Sequence, residues 1–423
     1  SLQDQLFDQF VGFVGDGRLP PGTRMPSTRQ LALDLGVSRN TVVQTYERLV
    51  AEGFIEMRGP LGAFVTEHGG DALVQPQRAA LGQALPAMSK LASPRASPPA
   101  PAADAAEGLV EHALHAMRSP YADELAFDFW VGRPDARLFP ALAWRKLVNE
   151  ALLELQHSDG SYGEPAGLME LRAAVARHVG ASRGIVCSGD DVIITNGIQE
   201  GINIVARLFV APGVPVGMEC PGYLGAANVW ASFGARLLPV EVDAEGARPG
   251  ALPPECRLMY LTPAHQYPTG VALSPPRRAQ WLAWALQRGG YLLEDDYDSD
   301  FYYDSVPPAA IKAGDGDGRV IYLGTFSKSL AAGLRTGYMI VPRQLRRAAV
   351  IVKGLLTSGS PRLTQTALAA FLDCDEYAHQ LRRLRKVYAS RRHALRAALR
   401  ELFASDAVSG SGAGMHVLWH LPP

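Results

Sequence analysis

Apolar positions along this chain recur at two periods, and the change from one to the other divides it. Over residues 1–68 the period is helical. Leu31, Ala32 and Leu35 share one face of a short helix that Ser27 opens, with Gln30 at capping-box spacing, and that Gly36 stops. Ser38 can cap a second helix reaching about Gly53, on which Val42, Tyr46, Leu49 and Val50 form an apolar stripe and Asn40, Gln44 and Arg48 face outward. Phe54 to Val65 reads as two short strands around a glycine-containing tip, a wing. Two short helices joined by a tight turn follow the helix-turn-helix plan. From about Tyr121 short apolar strand-like runs, such as 320–323, alternate with helical periodicity, the pattern of an α/β fold with parallel strands. Between the two regions, residues 69–120 are rich in alanine and proline, cannot bury enough apolar surface to offset their ordering entropy, and are expected to be a linker. A short helix is expected inside it at 109–117.

Composition adds bounds. A chain of 423 residues exceeds one ordinary domain, and 47% hydrophobic with 20% charged residues describes a globular protein. The net charge of −1 gives no hint of nucleic acid, and residues 1–68 hold six arginines, no lysine and eight acidic groups. The four cysteines contain no C-x-x-C pair, so neither a zinc site nor a disulfide framework is implied, and a reduced, cytoplasmic setting fits. No apolar run reaches membrane-spanning length. The sequence begins without methionine and stops just after a strand-like run at 415–419, so it is expected to be clipped at both ends.

The chemistry concentrates at Gly324-Thr325-Phe326-Ser327-Lys328, behind an apolar strand and ahead of Arg335. Lysine is scarce here, six of the 41 basic residues. A buried ammonium is costly, and a Schiff base with an aldehyde removes the cost, while the hydroxyls and the arginine suit a phosphate. A surface lysine after a strand is the plainer alternative. Residues 192–199 form a strand that turns through Gly197 into a helix, whose free N–H groups suit an anion. Tyr223 follows another strand, where its ring can stack on a ligand or simply pack. The strand at 291–298 becomes acidic at its end; ligands of open α/β sheets bind at such strand ends, although a metal site or a solvated corner is open too. By the same reasoning Ser38, Arg39, Asn40 and Thr41 stand at a helix N-terminus that favours phosphate, and Asn40 and Gln44 can read adenine edges.

The segments Leu19-Pro20-Pro21-Gly22-Thr23-Arg24-Met25-Pro26-Ser27-Thr28-Arg29-Gln30, Leu35-Gly36-Val37-Ser38-Arg39-Asn40-Thr41 and Glu52-Gly53-Phe54-Ile55 resemble the GntR superfamily of winged-helix repressors. The segments around Gly197, Tyr223, Asp295 and Lys328 resemble fold-type I pyridoxal-phosphate enzymes. Joined by the linker, the two resemble the MocR/PdxR-type branch of GntR regulators over almost the whole chain. The resemblance implies a multidomain α/β protein: a winged helix-turn-helix at 1–68, the linker at 69–120, and at 121–423 an aminotransferase class I/II-like domain, cut short at its C-terminus. That domain would hold a mostly parallel sheet flanked by helices and a smaller α/β subdomain. Arg29, Ser38 and Arg39 are the implied DNA contacts, with Asn40, Thr41, Gln44 and the wing's Arg58 as further candidates. Pyridoxal 5'-phosphate is the implied cofactor: Lys328 forms the internal aldimine, Asp295 pairs with the pyridine nitrogen, Tyr297 contacts the ring oxygen and Tyr223 stacks. Gly197, Ile198, Gln199, Thr325, Ser327 and Arg335 surround the phosphate. Asp296 competes with Asp295; spacing to Tyr297 and Lys328 favours Asp295.

Two departures stand out. Aminotransferases carry Asn-Pro-x-Gly where this chain has Tyr267-Pro268-Thr269-Gly270, so the asparagine contact is missing or moved to Gln266. No arginine occurs from Glu401 to Pro423, where enzymes bind the substrate carboxylate, so that residue is absent or lies beyond the end. The implied function is a cytoplasmic, homodimeric transcription regulator of paired operator half-sites. It would sense a small amine or amino acid through an external aldimine that releases Lys328, with sustained transamination weak or absent. An active aminotransferase with an attached DNA-binding domain, and a sensor of pyridoxal phosphate itself, are the alternatives.

Overall fold

The computed structural model describes residues 2–66, 129, 131–156, 162–250, 252–303, 307–374, 376–403, 408–410 and 412–421. The chain divides into two compact units, Ser1–Pro98 and Pro99–Pro423. The stretch 69–120, expected to be a linker with a helix at 109–117, lies outside the described residues.

In the first unit α1 (Leu2–Gly15), α2 (Thr28–Leu35) and α3 (Arg39–Ala51) precede a hairpin of β1 (Ile55–Met57) and β2 (Ala63–Val65). Ser27 caps α2 by accepting the Gln30 N–H at 3.2 Å. The Gln30 amide turns instead to Asp34, 2.7 Å away, so the expected capping box closes on one side only. Gly36, at φ 65°, ends the helix in the left-handed conformation that glycine adopts without strain. Ser38 caps α3 through the Thr41 N–H. Val42, Tyr46 and Leu49 are buried against Phe7, Met25, Leu31, Phe54, Ile55 and Val65. Val50 does not belong to that stripe and is 39% exposed; eight residues beyond Val42, it is rotated from it by about 80°. Leu35, the last residue of α2, is likewise 48% exposed. The wing pairs Ile55 with Val65 and Met57 with Ala63 around a turn at Gly59–Leu61.

The second unit is built on an eight-stranded sheet. Its strands are β3 (Val192–Thr195), β4 (Pro215–Cys220), β5 (Arg236–Asp243), β6 (Gly246–Ala247), β7 (Leu258–Leu261), β8 (Tyr291–Asp296), β9 (Val320–Thr325) and β10 (Gly337–Ile340), in the order β3-β10-β9-β8-β7-β4-β5-β6. The run from β9 to β5 is parallel; β10 is antiparallel to both its neighbours, and β6 is antiparallel to β5. The reversal at β10 follows from length: 326–336 carries only a 3-10 turn, too little for a crossover of about a dozen residues. Alternation on the strands sends apolar side chains to both faces of the sheet. Ile194, Tyr322 and Ile340 pack on one face with Val175 and Phe371, while Ile193, Ile321 and Met339 pack on the other with Ile202 and Trp230. The flanking helices include α4 (Ala141–Gln156), α5 (Met169–Arg183), α6 (Ile198–Phe209), α7 (Leu224–Ser232) and α8 (Pro275–Arg288), followed by α9 (Arg346–Thr357), α10 (Arg362–Asp373) and α11 (Glu376–Phe403). The strand-like run at 415–419 forms a strand only at β12 (Leu418–Trp419), paired with β11 (Val408–Ser409). Among the described residues no helix is long and apolar enough to cross a membrane.

Candidate functional site

The carboxyl ends of β7, β8 and β9 open on a cavity of about 430 Å³ in the second unit. Lys328, three residues past β9, projects into it and donates from Nζ to the Gly132 carbonyl at 2.6 Å. Burial lowers the Lys328 pKa, and the carboxylates of Asp298 and Asp295 work against that loss. Two other lysines stand differently: Lys353, fully buried, is held by Glu200 at 2.7 Å, and Lys312 by Asp315 at 2.8 Å.

Adjacent residues of a strand point to opposite faces, which separates Asp295 from Asp296. Asp295 lines the cavity; its Oδ2 accepts from the Tyr260 hydroxyl at 2.5 Å and its buried Oδ1 has no partner among the described residues. Burial pushes this carboxyl up to about 7. Asp296 is not among the residues lining this cavity: Arg183 Nε and the Tyr322 hydroxyl, each at 2.7 Å, hold its Oδ2. Glu219, buried at the carboxyl end of β4, accepts from the Thr262 hydroxyl at 2.5 Å and is also pushed up to about 7 by burial.

At one end of the cavity the β3–α6 turn presents the first N–H groups of α6. Gly197 lies there at φ 82°, and a Cβ on it would come within 2.8 Å of Arg335 Nη2, so the turn admits only glycine beside that guanidinium. Arg335 donates to the Asn196 carbonyl at 3.0 Å. The Thr325 and Ser327 hydroxyls are 2.9 Å apart. Glu200 ties the turn from behind, accepting the Asn196 N–H at 2.6 Å. At the other end Tyr223 meets Tyr267 edge-on at 5.9 Å, and Tyr297 donates to the His265 carbonyl at 2.8 Å.

Of the residues expected around the cofactor, Ile198, Gln199, Tyr223, Asp295, Tyr297, Thr325, Ser327, Lys328 and Arg335 line this one cavity, and Gly197 forms its turn. Gln266 does not take over the asparagine's place. It is 1% exposed, donates to the Pro221 and Tyr267 carbonyls, accepts from Thr269, and does not line the cavity. Tyr260, Thr262, Tyr267 and Asp298 line it without having been expected there. Tyr260, Thr262 and Tyr267 lie in the 260–270 stretch, where Gln266 was the residue named as a substitute for the asparagine. Asp298 adjoins Tyr297, so nearness in sequence was its available signal. Gly132, Met415 and His416 arrive from distant segments and had none.

In the first unit Arg29, Ser38, Arg39, Asn40, Gln44 and Arg58 are exposed and Thr41 is half-buried. The Ser38 hydroxyl is engaged as the α3 cap, and it lies 2.8 Å from that of Thr41. Arg58 pairs with Glu56 at 2.5 Å and lies over the Phe64 ring.

Residues 3–65 match the family model of bacterial regulatory proteins, gntR family, and residues 131–423 match that of aminotransferase class I and II. The "Probable rhizopine catabolism regulatory protein MocR" of Rhizobium meliloti is 34% identical over 420 residues, covering 99% of this chain and 81% of that one. The HTH-type pyridoxine biosynthesis transcriptional regulator PdxR of Corynebacterium glutamicum is 30% identical over 402 residues, 95% of this chain and 80% of that one. Among solved structures, the α-aminoadipate aminotransferase LysN of Thermus thermophilus, complexed with N-(5'-phosphopyridoxyl)-L-leucine, superposes with a TM-score of 0.64 at 29% identity, over 74% of this chain and 81% of that one.

Proposed function

The chain belongs to the MocR type of HTH-type transcriptional regulators, a gntR-family DNA-binding region joined to an aminotransferase class I and II region, and from that premise we propose that it binds pyridoxal phosphate in the cytoplasm and reports a small primary amine or amino acid to DNA. The observation that carries the reading is the pairing, in one cavity, of a half-buried lysine with a buried carboxylate that has an oxygen unused among the described residues.

The residues fit the cofactor. Asp295 Oδ1 is an orphaned acceptor at the strand end, and a protonated ring nitrogen is the partner that relieves it. The α6 N-terminus, Arg335, Thr325 and Ser327 offer N–H, guanidinium and hydroxyl donors to a phosphate. When bound, pyridoxal phosphate supplies an aldehyde carbon that the amine of Lys328 and an incoming primary amine can exchange. Tyr223 would hold the ring by stacking, and Tyr297, anchored on the His265 carbonyl, would stand at the ring oxygen. Glu200 holds the phosphate turn from behind through Asn196 and is itself fixed by Lys353.

A sensor needs reversible amine binding, and turnover would consume its signal. Tyr267 faces the cavity at the position where enzymes keep asparagine, and Gln266 is fully engaged elsewhere; both favour regulation over catalysis. A ligand moves a conformational balance only by binding one arrangement better, so the test is on DNA. Operator affinity of the cofactor-loaded protein is measured by fluorescence anisotropy across a panel of amines. One or more amines should change it several-fold while shifting the cofactor's absorbance. DNA affinity indifferent to every amine and to cofactor removal overturns the reading.

A further inference from the structure

His265 and Asp298 form a buried pair to which neither the ring contacts nor the phosphate contacts assign a task. Their side chains are each 1% exposed, and His265 Nδ1 lies 3.0 Å from Asp298 Oδ2. The Met415 N–H donates to the same oxygen at 3.2 Å. Asp298 Oδ1 is buried and has no partner among the described residues. The imidazole is gripped by two glycines at positive φ. A Cβ on Gly414 would fall 2.0 Å from its Cε1, and one on Gly270 3.0 Å from its Nε2. So tight a fit fixes the ring, and the ring fixes the carboxylate.

Asp298 lines the same cavity as Lys328, and the two also line a second void of about 10 Å³ behind it. Around them stand Asp295, the Arg335 guanidinium, the His416 ring and four tyrosines. His416 is pushed down to about 4 by burial and therefore stays neutral near neutral pH. Two carboxylates of this cavity, Asp298 and Asp295, favour the charged lysine, and Asp295 is the one expected to be claimed by a ring nitrogen.

We propose that Asp298, positioned by His265, is the berth that receives the Lys328 amine as an ammonium when another amine takes its place on the cofactor. The proposal rests on the cofactor reading above. In the exchange the C=N bond to Lys328 Nζ breaks as the one to the incoming nitrogen forms. The hydrogens that the incoming ammonium nitrogen loses as it becomes the imine nitrogen, three for a neutral imine and two for a protonated one, are the ones the Lys328 nitrogen gains as it leaves as an ammonium, so atoms and charge balance without a further reactant. A displaced lysine with nowhere to put its charge would return at once; a fixed anion beside it keeps the exchanged state populated.

Two readouts test this. In cofactor-free protein, the rate at which acetic anhydride labels Lys328 is followed by mass spectrometry across pH. A carboxylate near an ammonium raises its pKa by about one unit or more, so Asp298→Asn should speed labelling below the lysine's pKa about tenfold, and Asp298→Glu should restore most of the wild-type profile. His265→Leu, which keeps the carboxylate but releases it, should move the rate the same way and less. In cofactor-loaded protein, the apparent affinity for methylamine, read from cofactor absorbance, should weaken about tenfold in Asp298→Asn, since each pKa unit is a factor of ten. An unchanged Lys328 labelling profile in both Asp298→Asn and His265→Leu overturns the berth, whatever the cofactor does. Failure of borohydride to fix the cofactor on Lys328 of the wild type overturns the cofactor reading instead, with the labelling result standing apart from it.

Discussion

Replacing Asp295 by asparagine should make the cofactor-free protein more stable and its cofactor binding weaker at once. The carboxyl is 3% exposed, and burial moves it from 3.8 to about 7. At about 1.4 kcal/mol per unit, on the order of 4 kcal/mol opposes the ionised form. A folded-state pKa above the ordinary value means that the neutral carboxyl's contribution to stability is complete below about pH 4 and is lost as the pH rises through 7. Asparagine has no charge to lose and can still accept from the Tyr260 hydroxyl, 2.5 Å from the native oxygen. At pH 8, therefore, the cofactor-free Asp295→Asn variant should melt several degrees above wild type, at roughly 2–4 °C per kcal/mol for a domain of this size. Near pH 4 the two should converge. With pyridoxal phosphate the order reverses: losing a charge-assisted hydrogen bond of about 1.5–3 kcal/mol weakens binding roughly ten- to hundredfold. Differential scanning fluorimetry at pH 5 and pH 8, with and without cofactor, reads both effects. A variant no more stable at pH 8, which binds the cofactor as tightly as wild type, refutes the placement of Asp295 opposite a ring cation.

Three further outcomes are expected. Arg29→Ala should weaken binding to all DNA sequences alike, whereas Asn40→Ala should cost about 1–3 kcal/mol and also relax preference at one base position; an unchanged operator affinity in the double variant, by anisotropy at fixed salt, excludes this face. Incubation with amino donors and 2-oxoglutarate should give keto acid far more slowly than about one turnover per second, and sustained enzyme-like rates would promote the aminotransferase alternative. Sedimentation should give a homodimer, since paired winged helices read paired half-sites; a stable micromolar monomer with full cofactor occupancy contradicts it.

How far the sequence carried depends on the range of each contact. Caps and stops were legible because they are local: Ser27, Gly36 and Ser38 act within three or four residues of themselves. The half-closed capping box shows the limit, since Gln30 had a second local partner in Asp34 that spacing could not rank. The exposure of Val50 follows from helix angle alone and was available from the same periodicity. Strand-end chemistry was legible as segments, and spacing favoured Asp295 over Asp296, but that Asp296 turns to Arg183 on the opposite face shows only with β8 in place. The direction of β10 depended on the length of the connection before it. Least legible were the groups that meet from far apart, such as His416 against the 265–268 loop and Gly132 against Lys328, because nothing in either segment names the other.

Lys328 is the residue on which the whole account turns, and its chemistry can be read directly. Protein purified with pyridoxal phosphate is reduced with borohydride, digested, and the pyridoxyl adduct is located by mass spectrometry. The account predicts the adduct on Lys328, whose half-buried amine has, among the described residues, a carbonyl and no carboxylate as its hydrogen-bond partner, and none on Lys312 or Lys353, which are held by Asp315 and Glu200. An adduct on either of those two with Lys328 unmodified, or no adduct at all on protein that still binds the cofactor, contradicts it.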